Sequence, residues 1–141
     1  MSRLASAGLA VLAAALLSEM LPSPASAADA PSARVVAMYF HRTTRCPTCR
    51  KMGSYSEEAV KTGFPEQLKS GTVEFHDIDF QDRKNAALTK GYGVSGPSLI
   101  VAKVEDGKVK EFENLQDIWT HAGEKAAFIR YVQENVAARL K

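Results

Sequence analysis

Cysteine is scarce in this chain: only two occur in 141 residues, at Cys46 and Cys49. A small exported fold stapled by disulfides uses several bridges that close long loops. A bridge around two residues removes little freedom from the unfolded chain, so stability alone does not account for this pair. Charge of one sign is also lacking, since the formal net charge is +2. With no basic stripe, nucleic acid is not expected as a partner. There is no Gly-x-Gly-x-x-Gly segment and no second domain to hold a flavin or nicotinamide. The longest apolar run, Leu9 to Leu17, is shorter than the roughly 20 residues that cross a bilayer. Internal repeats are absent, and no tract of low complexity follows the first segment.

That first segment has the pattern of an export signal. Arg3 supplies a positive start, Leu9 to Leu17 an apolar centre, and Pro22 and Pro24 a break. Ala25-Ser26-Ala27 then offers the small-x-small pattern of a cleavage site. We expect residues 1–27 to be a signal peptide, with Ala28 as the new N-terminus and a periplasmic or secreted location; an uncleaved anchor is the alternative. No cysteine closely follows the apolar run, so a lipid attachment site is not expected. Residues 28–33 read as a linker, and residues 34–141 as one domain.

Along the domain, Arg34 to Phe40 is a continuous apolar run of strand length, as suits a central strand covered on both faces. It leads through His41–Arg45 to the cysteines. A helix is expected from there, with Cys46 as N-cap and Pro47 at the first helical position, where its missing N–H is not needed. Gly53 weakens this helix by about 1 kcal/mol. Ser54-Tyr55-Ser56-Glu57 matches a capping box, so a kink or restart is expected there. Gly63 ends the helix and Pro65 opens a short helical turn. Thr72–Phe80 reads as a second strand, followed by a short helix capped by Asp82 that stops at Gly91. Ser98–Ala102 is a third strand. Asp106-Gly107 is a hairpin turn, leading to a charged edge strand near Val109–Phe112. Phe128, Tyr131, Val132, Val136 and Leu140 recur at helical spacing and predict a final amphipathic helix.

The spacing of the cysteines carries the chemistry. Residues i and i+3 on a first helical turn can bridge, the first sulfur exposed and the second partly covered. A thiolate at Cys46 would face free helix N–H groups, and Arg45, Arg50 and Lys51 add positive charge. These influences favour the reduced form, so the couple is expected to be rather oxidising.

The order β-α-β-α-β-β-α around a four-stranded mixed sheet, with Cys-Pro-Thr-Cys after the first strand, resembles the thioredoxin-like fold: α/β, in three layers. The early strands are expected to be parallel and the hairpin to add an antiparallel edge. In thioredoxin-like proteins a cis-proline faces the cysteines and exposes backbone that pairs with a substrate strand. Pro97, after Gly96, looks like that residue; the alternative is an ordinary turn proline. The chain also departs from thioredoxin. Arg45 stands where thioredoxin has a Trp, and the first strand lacks thioredoxin's buried acid. His41 is a candidate base in its place, or else a partly exposed residue at a strand end.

Val36-Ala37-Met38-Tyr39-Phe40-His41, with Arg45-Cys46-Pro47-Thr48-Cys49-Arg50-Lys51, also resembles the ArsF-type subunit family of nitrophenyl-compound nitroreductases. So does Phe112-Glu113-Asn114-Leu115-Gln116-Asp117-Ile118-Trp119, with Phe128 and Tyr131-Val132 after it. This resemblance implies a thioredoxin-like partner of a reductase or of a membrane component, such as a permease or a membrane electron donor.

The function read from the sequence is thus an exported thiol–disulfide oxidoreductase or electron-transfer subunit. Its only redox group would be the Cys46–Cys49 disulfide, with no further cofactor and no metal. Its partner would be a protein thiol or disulfide, and the chain is expected to be a monomer. A rival class is a soft-metal protein, holding Cu(I) through the cysteines with His41, His76 or His121. Another is a binding module with an inert bridge. Trp119 is expected in the core, as aromatics usually are, with a docking aromatic covering the active-site face as the alternative.

Overall fold

A computed structural model describes residues 30–141. The expected signal peptide lies outside the described residues. The elements are β1 (Ala33–His41), α1 (Pro47–Gly63), α2 (Pro65–Ser70), β2 (Val73–Asp79), α3 (Ala86–Gly91), β3 (Ser98–Glu105), β4 (Lys108–Asn114), α4 (Ile118–His121) and α5 (Lys125–Arg139). A 3-10 turn, Arg83–Asn85, leads into α3, with the Asp82 carboxylate accepting from the Lys84 N–H as expected of its cap.

One sheet holds the four strands in the order β2-β1-β3-β4. β1 is central and its residues from Val35 onward are buried, because both of its faces are covered. Alternate side chains divide between two layers. Val35, Ala37 and Tyr39 point to the layer that includes Met52 and Val60 of α1 and Phe128, Val132 and Val136 of α5. Val36, Met38 and Phe40 point the other way, towards Ile78, Ile100 and Tyr92. Among the described residues Phe80, Tyr92 and Val94 pack on that second face, and a groove of about 440 Å³ remains beside Leu88 and Tyr92.

β1 and β2 are parallel, with Tyr39 opposite Asp77, as a helical crossover requires. β3 is antiparallel to β1, placing Ser98 beside Phe40 and Leu99 beside Tyr39, so the parallel arrangement expected of the early strands holds for β1 and β2 and not for β3. So β3 starts at the end of the sheet where β1 finishes, and the Gly96-Pro97 segment joins the end that carries the cysteines. Leu115 donates its N–H to the Leu99 carbonyl at 2.8 Å, which brings the start of the β4–α5 connection to that end too. β4 is the charged edge, entered through the hairpin with Asp106 at φ 51° and Gly107 at φ 74°.

Two packing expectations are corrected. α1 runs unbroken through Gly53. A Cβ at Gly53 would lie 2.9 Å from Cε1 of the buried Tyr39 ring, so this glycine lets the helix sit directly on that ring. Ser54 does not cap a restarted helix: Cys46 is the one N-cap of α1, and two residues after Ser54 the buried Ser56 hydroxyl donates back to the Met52 carbonyl at 2.7 Å within the continuous helix. Trp119 is the second correction. It is 46% exposed, whereas its neighbour Ile118 is fully buried. Successive residues of a helical turn point about 100° apart, and Ile118 takes the inward direction on α4.

Candidate functional site

Cys46 and Cys49 form a disulfide with their Cα atoms 5.0 Å apart. The site is built by the change from strand to helix. Cys46 keeps extended backbone angles, φ −70° and ψ 161°, and is the N-cap of α1, with Pro47 opening the helix. The Cys49 N–H donates to Cys46 Sγ at 3.1 Å. The Arg50 N–H closes the first turn on the Cys46 carbonyl at 3.0 Å. Cys46, Pro47, Thr48 and Arg50 are exposed, while Cys49 is only 7% exposed. Cys46 is therefore the solvent-facing member of the pair.

Beneath the pair lies Tyr39, which the sequence reading did not single out. Its hydroxyl donates to the Cys49 carbonyl at 2.7 Å inside the core. The available sign was Gly53, one helical turn after Cys49, where a missing side chain admits a large neighbour. Burial pushes the Tyr39 phenol up to about 12, Arg45 pulls it down and Asp77 raises it again. It is therefore a protonated donor across the physiological range.

A linkage follows. In the unfolded chain the phenol ionises near 10. Between about pH 10 and 12 the unfolded state gives up a proton that the folded state keeps. Stability due to Tyr39 is complete below pH 10 and falls as pH rises, by at most about 1.4 kcal/mol per unit. Tyr39→Phe should be less stable by about 1 kcal/mol near neutrality, through loss of its hydrogen bond. It should also lose stability less steeply than wild type above pH 10. Urea titrations at pH 8, 10 and 11 check this, and identical alkaline slopes would contradict it.

His41 is buried at 7% exposure rather than partly exposed. Nδ1 lies 2.8 Å from the Arg42 carbonyl, so it carries the proton. Nε2 then accepts from Arg45 Nη2 at 2.6 Å and lies 3.5 Å from Asp77 Oδ1. The lone pair that would serve a base is thus occupied by Arg45. Arg45 also pairs with Asp77 at 2.6 Å, so much of its charge is met by a carboxylate instead of acting on Cys46. Asp77 was not foreseen, because it reaches the site only through the β1–β2 register.

The loop before Cys46 is tied to the end of β2. The Thr43 hydroxyl donates to Asp79 at 2.7 Å, and the Thr43 N–H donates to Gln81 Oε1 at 3.0 Å. The Thr43 hydroxyl, helped by the Gln81 N–H, holds the Asp79 carboxyl below its usual range.

Gly96 and Pro97 are at this end of the sheet, but the expected cis bond is not formed: no peptide bond among the described residues is cis. The trans isomer is the intrinsically favoured one by about 0.5–1 kcal/mol, and the Ser98 hydroxyl braces the turn by donating to the Gly96 carbonyl at 2.8 Å. The Gly-Pro segment therefore gives no second, independent sign of redox chemistry. His76 pairs with Glu74 in the middle of β2, and His121 tilts against Tyr131. Among the described residues no three of His, Cys, Asp and Glu are grouped to hold a metal ion.

No family model and no curated protein matches the sequence. Solved structures do match. The zinc-bound form of human ERp44 superposes with a TM-score of 0.50 at 14% identity, over 78% of this chain and 27% of that one. The chain thus spans about a quarter of that protein's length. Oxidised thioredoxin from Plasmodium falciparum matches with a TM-score of 0.45 at 13% identity, over 73% of this chain and 82% of that one. The four-stranded mixed sheet in the order β2-β1-β3-β4, its helices and the element order make the fold thioredoxin-like.

Proposed function

We propose that a thioredoxin-like chain with its disulfide at the start of α1 works as an exported thiol–disulfide oxidoreductase or electron-transfer subunit. One observation carries this reading: a bridged pair in which Cys46 is exposed, Cys49 is buried, and the Cys49 N–H points at Cys46 Sγ.

The exchange has two steps. A partner thiolate attacks Cys46 Sγ, the Cys46–Cys49 bond breaks, and Cys49 leaves as a thiolate that takes up a proton. A second partner thiolate then attacks the partner sulfur of the mixed disulfide and releases Cys46. Two electrons pass to the chain and the partner dithiol becomes a disulfide. In the reverse direction Cys46 attacks a partner disulfide and Cys49 resolves the intermediate.

The Gly96-Pro97 segment, at the same end of the sheet, is the proposed resting place for the partner's backbone. The leader pattern supports a periplasmic or secreted location. The resemblance to the ArsF-type subunits supports a reductase subunit or a membrane electron donor as partner.

Glutathione buffers test the chemistry. The two thiols should titrate together as a two-electron couple, at a potential above the roughly −300 mV typical of structural disulfides. Quantifying them by alkylation and intact mass also reads the N-terminus, expected at Ala28. A bridge that no glutathione buffer reduces would overturn the proposal.

A further inference from the structure

The exposed sulfur of Cys46 is surrounded in sequence by Arg42, Arg45, Arg50 and Lys51, and the first turn of α1 has no acid. These four cations are not equivalent. Arg45 is held by Asp77 and His41. Arg42, Arg50 and Lys51 are exposed, and none has a carboxylate within ion-pair distance among the described residues. Arg42 lies over the Phe80 ring at 5.8 Å, which holds its guanidinium at the end of the sheet. The nearby acids are already engaged. Asp77 is turned to Arg45, and Asp79 accepts from Thr43 and from the Gln81 N–H.

Elsewhere some charges pair off along the surface: Lys61 with Glu57, Lys69 with Glu66, Lys84 with Asp82 and Lys125 with Glu58. Unpaired cations are not confined to the redox end, since exposed Lys90, Lys108, Lys110 and Arg130 also have no carboxylate within ion-pair distance among the described residues. What marks the Cys46 end is that Arg50 and Lys51 follow the cysteine pair directly, on a helix whose first turn has no acid.

We infer that these cations recognise an acidic protein segment: the partner's reacting cysteine is flanked by Asp or Glu carboxylates that dock on Arg42, Arg50 and Lys51. This rests on the oxidoreductase reading and names the partner's chemistry. Arginine forks match carboxylates in two-point geometry, and a lysine adds an adjustable point charge. Because the three groups are solvated, their effect is on the rate of encounter and the choice of partner, and salt weakens it.

Two cysteine peptides that differ only in Glu or Lys on both sides of the thiol provide the test. Each is oxidised by the Cys46–Cys49 disulfide of the purified chain, at 20 mM and 500 mM salt. Each rate is divided by that peptide's rate with hydroxyethyl disulfide, which is uncharged and so removes the difference in intrinsic thiol reactivity without adding a charge preference of its own. At low salt the acidic peptide should react about tenfold faster, and high salt should bring the ratio near one. Arg50→Glu/Lys51→Glu should reverse the ratio, and Arg42→Glu should reduce it. Because the ratio is taken on one protein, a change in the disulfide's own reactivity cancels. Equal peptide rates at low salt, or a preference for the basic peptide, would overturn the inference. Mercaptoethanol, a neutral thiol, separates the two levels. If it reduces the bridge while the peptides show no preference, only the acidic partner falls. If it does not reduce the bridge, the oxidoreductase reading falls and the acidic partner with it.

Discussion

Replacing Cys49 with serine should leave Cys46 trapped in mixed disulfides. In the proposed exchange the second sulfur frees the first from its partner, and a serine hydroxyl neither leaves nor attacks as a thiolate does. Serine is close in size, and the Cys49 backbone N–H that points at Cys46 Sγ is retained, so the attacking residue keeps its setting. Cys49→Ser should therefore carry reducible adducts on most molecules, with protein partners in cells and with glutathione after purification. Cys46→Ser should carry almost none, because the remaining thiol is 7% exposed and lies within the helix. Non-reducing gels and intact mass distinguish the two. A soft-metal site would behave differently: both substitutions would abolish metal binding about equally and neither would capture a protein. An inert bridge would give neither result. Absence of any adduct on Cys49→Ser, with stoichiometric copper or zinc retained by wild type, would end the oxidoreductase reading.

Phe128→Ala should cause the largest loss of stability, about 3–5 kcal/mol. Phe128 is fully buried on α5, meets Tyr55 of α1 edge-on with ring centroids 5.6 Å apart, and belongs to the same core cluster as Tyr39 and Met52. Its removal leaves a cavity where α1 and α5 share the sheet, which is a large part of the 5–15 kcal/mol that keeps a typical domain folded. Trp119→Ala is the control. The larger aromatic should cost under about 1 kcal/mol, because the residue is 46% exposed. Urea unfolding of the oxidised proteins, compared at equal slope, reads both. If Trp119→Ala were the more damaging change, the inward and outward directions on α4 would be reversed.

The sequence by itself determined the features that neighbouring residues settle among themselves. An apolar run of strand length became the buried central β1. Cys46 followed by Pro47 capped α1, because an extended residue and a fixed φ suit the first turn of a helix. Asp106-Gly107 turned the hairpin, and the spacing of Phe128, Val132 and Val136 marked the buried side of α5. The cysteine pair was legible for the same reason, since three residues on one helical turn suffice to bring the sulfurs together.

Tertiary structure alone decided the rest. β3 runs antiparallel to β1 through pairing of distant segments, and this sets Gly96-Pro97 at the redox end. Whether Pro97 would be cis also lay with its surroundings, since the two isomers differ intrinsically by only about 0.5–1 kcal/mol. Gly53 reads as a flaw in a helix until the Tyr39 ring is seen against it. His41, Arg45 and Asp77 come from two strands and a loop, and Asp77 is 32 residues from Arg45, so no local pattern announces that they share their charges and proton. Of the neighbours Ile118 and Trp119, it is Ile118 that takes the inward direction and joins the core cluster with Leu115 and Phe128. Local patterns report propensity and periodicity over a few residues; partners far apart in the chain are chosen by which packing buries the most apolar surface while leaving the polar groups satisfied.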